Sequence, residues 1–231
     1  MPALPASKAP SPQRRRLSPA DRERDIVAGA VAFFAEFGFD GATRDLAQRL
    51  GITQPLLYRY FPGKDALLDR VYQEVYQSRW QSEWETAIAD RSIPIEERLK
   101  RFYRAYAAVI QTYEWVRLFM FAGLKGLDFN SRYLAFLRAR LFERMVIEIR
   151  AANGLDETAP VSEEEIELIW SLHAGIFYIG VRKFIYGMPI PADPEADIDV
   201  KVNAFLNGAP AAFASVIDRA KPARRKVAAR K

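Results

Sequence analysis

Thr43-Arg44-Asp45-Leu46-Ala47-Gln48-Arg49-Leu50-Gly51-Ile52-Thr53-Gln54-Pro55-Leu56-Leu57-Tyr58-Arg59-Tyr60-Phe61 decides how this 231-residue chain reads. Two short apolar-periodic stretches flank Gly51-Ile52-Thr53. In the first, Leu46, Ala47 and Leu50 share one helical face, and Thr43 is placed to cap it. Gly51 falls where a helix-ending left-handed residue is wanted. Thr53 is a second N-cap, and Pro55 is tolerated in a first turn, where its missing N–H is no loss. The second helix runs through about Tyr60 with Leu57 and Phe61 inward, and Pro62-Gly63 ends it. Gln54, Leu56, Tyr58, Arg59 and Tyr60 are left outside. Tyrosines and an arginine exposed on so short a helix are poor core and good nucleic-acid contact. This is the grammar of a helix-turn-helix, whose second helix enters the major groove by its polar N-terminal end.

Working outward, Ser18-Pro19 sets an N-cap before a first-turn proline. The helix it opens carries Ile26, Val27, Ala30, Phe33, Phe34 and Phe37 as its buried face and stops at Gly38. Residues 1–17 hold four prolines in the first 12 positions and then Arg14-Arg15-Arg16, which reads as a disordered basic arm, solvated or laid in a minor groove. Downstream the 3–4 spacing of apolar residues predicts helices over about 64–89, 94–113, 114–124, 131–152, 162–186 and 199–220. The fifth opens with a Ser162–Glu165 capping box, and the last is interrupted at Gly208 and Pro210. No period-two run or Asn-Gly hairpin signals a strand. The expected fold is all-α: a three-helix head over 18–63, a helical body over 64–220 and a disordered basic tail over 221–231.

Composition narrows the chemistry. Half of the residues are hydrophobic, 27% are charged and 13% are aromatic, enough for a sizeable core. No cysteine means no disulfide, thiol nucleophile or thiolate zinc site, and one histidine, His173, rules out a multi-histidine metal site. The alternating Asp193, Glu195, Asp197 and Asp199 lack the spacing of a calcium loop and read as an acidic lead-in to a helix. Neither a cofactor nor an enzyme activity is expected. The run Met-Pro-Ala-Leu-Pro-Ala-Ser-Lys lacks the apolar core of a secretory signal, and no run of about 18 apolar residues predicts a membrane span, so the expected location is the cytoplasm. Residues 1–70 carry 11 basic and 8 acidic side chains, residues 71–217 carry 16 and 20, and residues 218–231 carry 7 and 1. Basic ends around an acidic centre suit an anionic polymer partner, and solvated tails account for them nearly as well.

The stretch from Thr43 to Leu68 resembles the DNA-binding signature of TetR-family transcriptional regulators. Cap, glycine turn, Tyr58-Arg59-Tyr60-Phe61 and Lys64 all fall in register, and the resemblance covers about residues 20–70. It implies a dimeric regulator whose variable helical body binds a small organic effector that lowers DNA affinity. Residue by residue, it implies that Thr43 and Arg44 contact the backbone and that Gln54, Pro55, Leu56 and Tyr60 face base edges. Tyr58 would touch phosphate, and Lys64 would grip phosphate beyond the second helix. Thr53 and Arg59 complete the candidate DNA face. The expectation is a ligand-responsive repressor on a palindromic operator. An enzyme with a helix-turn-helix appendage and a non-specific architectural DNA binder are the competing classes.

Two further sites are expected in the body. Ten large rings between Tyr76 and Phe121 suggest a cavity, with Trp80, Tyr103, Tyr106, Trp115 and Phe119 facing Trp170, His173 and Phe177 around an uncharged or weakly charged aromatic ligand. Arg104 and Arg117 would serve an anionic ligand or lie on a solvated face. The helix over about 162–186 bears a second apolar stripe, Leu168, Leu172, Gly175 and Ile179, which would seek a partner chain and form a homodimer interface.

Overall fold

The computed structural model describes residues 18–220, and among them every regular element is helical. The expected basic arm and tail lie outside these residues. The head comprises α1 (Pro19–Phe37), α2 (Thr43–Arg49) and α3 (Gln54–Tyr60). Ser18 caps α1 by accepting from the Asp21 amide at 3.1 Å, and Pro19 occupies its first turn. Ile26, Ala30 and Phe34 meet Leu46, Leu57 and Phe61 in one buried core. Phe37 departs from expectation: at the C-terminal end of α1 it is 55% exposed, tilted against Phe33 at 5.0 Å and covered in part by the Arg49 guanidinium. At Gly29 a Cβ would sit 2.2 Å from a Leu50 methyl, so the glycine lets α1 and the end of α2 close together.

The body begins with α4 (Lys64–Tyr72), which passes into a π turn at Gln73–Gln77 and stops; α5 (Glu83–Ala89) follows. The single helix expected over 64–89 is thus broken in two. The physical reason lies in the spacing of Tyr72, Tyr76, Trp80, Trp84 and Ile88, four residues each time. At 3.6 residues per turn every such step drifts about 40° around an α-helix. The wider π turn holds Tyr72 and Tyr76 together, and the break resets the phase for Trp84 and Ile88, both buried.

Then come α6 (Ile95–Ile110), α7 (Tyr113–Lys125), α8 (Phe129–Leu137), a second π turn (Arg138–Phe142), α9 (Glu143–Ala152), α10 (Glu163–Phe184) and α11 (Pro194–Ala220). The capping box at Ser162 and Glu165 is formed. Of the kink or split expected at Gly208 and Pro210, the split is not seen: α11 is one helix with Pro210 inside it, whose missing N–H cannot serve the Leu206 carbonyl. The stretch Pro194–Arg219 is long and apolar enough to cross a membrane by composition, yet Ile198, Val202, Phe213 and Val216 are buried in the body.

Of the rings expected to surround a ligand, all but Trp80, which lines an open cleft, pack into or against the core. Tyr103 and Tyr106 are wholly buried, Phe102 stacks on Tyr106 at 5.2 Å, and Trp84 meets Tyr106 edge-on at 5.4 Å. Trp115 stacks on Phe119 at 4.9 Å, Phe177 abuts both, and Trp170 meets Phe142 edge-on at 4.5 Å. Edge-to-face contacts let rings of mixed orientation tile an irregular space, so ring density by itself does not open a cavity. His173 sits among Tyr106, Phe142 and Trp170, buried, with its Nδ1 unpartnered. That apolar setting pushes its pKa down to about 4.

Two ion clusters tie the body's far end. Arg150 donates to both Glu165 carboxylate oxygens, at 2.8 and 2.5 Å, and to the carbonyls of Ala159 and Pro160, with both side chains fully buried. Glu148, also buried, accepts from Arg91 and Arg98 and pairs with Arg144.

Two outcomes follow from this interior. Arg150→Met strands the Glu165 charge in the core and should cost about 3–5 kcal/mol in urea unfolding; a loss under 1 kcal/mol would show that the pair is not holding α9 to α10. His173 stays neutral in the fold while the unfolded chain protonates it below about pH 6.5, so stability should fall between pH 6.5 and pH 4 and level off below. From pH 7 to pH 5 that amounts to about 2 kcal/mol. Melts of His173→Phe over the same range should lack this slope, which separates it from the carboxylates that titrate lower.

Candidate functional site

The turn between α2 and α3 is fixed by local chemistry. The Ile52 amide returns to the Ala47 carbonyl at 3.0 Å, and Gly51 adopts φ +64°, a conformation that side chains resist. Thr53 caps α3 by accepting from the Leu56 amide at 3.3 Å, and Pro55 lies in the first turn. Leu57 and Phe61 are buried beneath it, which sets the angle at which α3 leaves the head.

Thr43 does not cap α2. Ala42 holds that position with no side-chain bond, because the Thr43 hydroxyl is turned inward, 2.8 Å from the Tyr58 hydroxyl. The Gln54 amide nitrogen donates to both, at 3.1 Å to Thr43 and 3.3 Å to Tyr58. These bonds hold the Tyr58 pKa below the ordinary tyrosine value, Thr43 contributing most. The network joins the start of α2 to the first turns of α3, and Thr43 is buried in consequence. Sequence reading missed it, since the three residues are linked only once α2 and α3 cross.

Arg44, Thr53, Pro55, Tyr58 and Arg59 are exposed, while Gln54, Leu56 and Tyr60 are half-buried. Tyr60 spends part of its ring against the head core. Lys64, at the start of α4, donates to the Gly41 carbonyl at 2.9 Å and lies over the Phe34 ring. One of its three N–H donors is thereby used, and the rest remain for a phosphate.

The head is fastened to the body through α1. Arg117 of α7 donates to the Ala35 carbonyl at 2.5 Å and the Glu36 carbonyl at 3.2 Å, groups that a helix end leaves without partners. It also lies over the Phe121 ring, which packs beneath Gly38. Neither arginine singled out in the body is a free anion anchor: Arg104 forms a two-pronged pair with Asp199.

The second apolar stripe of α10 is largely satisfied within the chain. Leu172 and Ile179 are buried against the protomer's own helices, because α10 packs on α6, α7, α9 and α11 at once. Leu168 is half-buried on the same core. Gly180 lets α10 approach α7, where a Cβ would lie 2.9 Å from Val116. Gly175 differs, since a Cβ there would meet nothing within 4 Å. It belongs to an outer strip with Ser171, Ala174 and Tyr178.

Residues 26–71 match the family described as bacterial regulatory proteins, tetR family. The chain is 49% identical over 45 residues to the tetracycline repressor protein class A from transposon 1721 of Escherichia coli, covering 19% of this chain and 21% of that repressor. It is 41% identical over 56 residues to the HTH-type transcriptional repressor Rv1474c of Mycobacterium tuberculosis, covering 24% and 30%. The chain thus matches less than a third of the length of these curated relatives. A solved TetR-like transcriptional regulator from Rhodococcus sp. RHA1 superposes with a TM-score of 0.63 at 19% identity, over 84% of this chain and 100% of that one. Residues 26–71 thus resemble the tetR family of bacterial regulatory proteins, and the chain has the all-helical fold of the solved TetR-like regulator.

Proposed function

We propose that the chain is a sequence-specific DNA-binding transcriptional repressor, working in the cytoplasm as a homodimer on a palindromic operator and released by a small organic effector. The head would span residues 18–63, and the body, residues 64–220, would carry dimerisation and effector binding. The observation that carries the reading is α3. Its base is anchored by Leu57 and Phe61 and its start braced by the Gln54–Thr43–Tyr58 network, while Pro55, Tyr58 and Arg59 stay exposed. A helix held at a fixed angle with its first turn exposed is what major-groove reading requires. The head matches those of proteins named as repressors, which supports repression over activation.

A palindromic site calls for two heads about one DNA turn apart, hence a two-fold dimer. The outer strip of α10, with Ser171, Ala174 and Tyr178 exposed beside Gly175, and the exposed Val200 and Ala204 on α11, which packs on α10, support a helix-on-helix interface. Effector binding need only favour a dimer whose heads no longer fit: about 1.4 kcal/mol of coupling gives a tenfold loss of DNA affinity.

The deciding experiment is selection of bound sequences from a random DNA pool, which should return a palindrome. Lys64→Ala should weaken binding to every sequence and lower the salt slope by about one, whereas Gln54→Ala should change base preference and leave the slope alone. Parent-like binding by both variants would move the DNA face elsewhere. Light scattering at micromolar concentration should give the mass of two chains. Gly175→Arg, which has room within the protomer, should give one chain with unchanged helicity; a dimeric Gly175→Arg variant would take α10 out of the interface.

A further inference from the structure

Two hydroxyls and an amide meet where α2 begins and α3 turns outward, and their hydrogens can be counted. Thr43 Oγ1 lies 2.8 Å from Tyr58 Oη, and Gln54 Nε2 lies 3.1 Å from the first and 3.3 Å from the second. Each of these three contacts needs one hydrogen between its heavy atoms. The Gln54 amide supplies two of them and the hydroxyl pair supplies the third. With the amide turned the other way, two hydrogens would have to serve three contacts, so the nitrogen faces inward. The two hydroxyls carry two hydrogens and spend only one between them. One is left over.

Burial decides which residue keeps it. If Tyr58 donated to Thr43, the spare hydrogen would sit on Thr43, which is buried and whose hydroxyl has no other partner among the described residues. A buried donor without an acceptor is costly. If Thr43 donates to Tyr58, the spare hydrogen sits on Tyr58, which is 39% exposed. The second arrangement strands nothing. It also agrees with the lowered pKa of the Tyr58 phenol, whose largest cause is the Thr43 hydroxyl, because a donor stabilises the phenolate. Two donors on one phenol oxygen polarise its O–H and strengthen it as a donor in turn.

The same neighbourhood already seeks an anion. Lys64 rests on the Gly41 carbonyl at 2.9 Å, two residues before Thr43, and its charge acts on the Tyr58 phenol. An ammonium and a polarised O–H have only hydrogens to give, and a phosphate oxygen only accepts them.

We propose that Thr43 is a positioning residue, which gives its own hydrogen to Tyr58 and so directs the Tyr58 hydroxyl hydrogen to a phosphate of double-stranded DNA, without touching the DNA itself. The phosphate rests on the repressor reading above; the direction of the hydrogen within the protein does not.

Two measurements separate them. In the free chain labelled at tyrosine ¹³Cζ, the Tyr58 signal, assigned by its absence from Tyr58→Phe, should titrate below the ordinary tyrosine value of about 10. Thr43→Val, nearly isosteric, should move it up, and Thr43→Ser should leave it near the parent; Lys64 is untouched in both. On pool-selected DNA at fixed salt, Tyr58→Phe should weaken binding about tenfold, as for a hydrogen bond to a charged group, and leave the salt slope alone, since no cation is lost. Thr43→Val should weaken it about threefold and Thr43→Ser should bind like the parent. Added to Tyr58→Phe, Thr43→Val should cost nothing further. An equal loss from Thr43→Val in both backgrounds would place Thr43 on the DNA and overturn the proposal. So would a Tyr58 signal that Thr43→Val does not move, or a Tyr58→Phe variant that binds like the parent. A parent chain that selects no DNA, while the Tyr58 signal shifts as expected, would sink the repressor reading and overturn the phosphate contact with it.

Discussion

The guanidinium of Arg117, set on the last carbonyls of α1, is the joint on which the molecule turns. A helix end leaves such carbonyls bare, and satisfying them from α7 makes the head continuous with the body. Glu23 on the same helix faces Arg70 of α4 at 3.7 Å, and Asp40 beyond its end pairs with Lys125. Because α1 also supplies the floor on which α2 and α3 rest, a tilt of α7 or α4 must carry the helix-turn-helix with it. The head has no independent footing.

Behind that joint, the body obtains its rigidity from shape rather than from charge. Trp84, Phe102 and Tyr106 interlock at mixed angles, Trp115 meets Tyr133 and Phe142 meets Trp170 edge-on, all with ring centres within about 6 Å. Aliphatic side chains could bury as much area, but ring edges against ring faces restrict sliding. The buried Arg150–Glu165 pair then fixes the start of α10, and the Glu148 cluster fixes the loop before α6. Ions serve at the edges of the core and rings at its centre.

What the sequence made legible follows the range of the interaction. Caps and turns are local, so Ser18, Gly51, Thr53 and the Ser162–Glu165 box read correctly, and with them the order of the first three helices. Thr43 misread for the same reason in reverse: its hydroxyl answers to Tyr58, fifteen residues away, rather than to its own helix. The apolar stripe of α10 was visible, but not that Leu172 and Ile179 would find α11 and its neighbours before any second chain. Phe37 belongs to the right periodicity but stands where the head core has ended. Periodicity marks which face is apolar; it carries no information on how many neighbours that face will meet, or whether a cluster of rings closes or gapes.

The brace across α2 and α3 also bears on sequence choice. A free glutamine can read adenine through both halves of its amide, giving a hydrogen to N7 and accepting one from N6. Here both hydrogens on the Gln54 nitrogen are committed inward, to Thr43 and Tyr58. Only its carbonyl oxygen remains to look outward. If the head docks in a major groove as proposed, this position would be a pure acceptor, matched to the amino groups of adenine or cytosine and repelled by the keto oxygens of guanine and thymine. On the proposed function, the contact that stiffens α3 would halve its alphabet at one base pair, sorting amino from keto edges instead of naming one base.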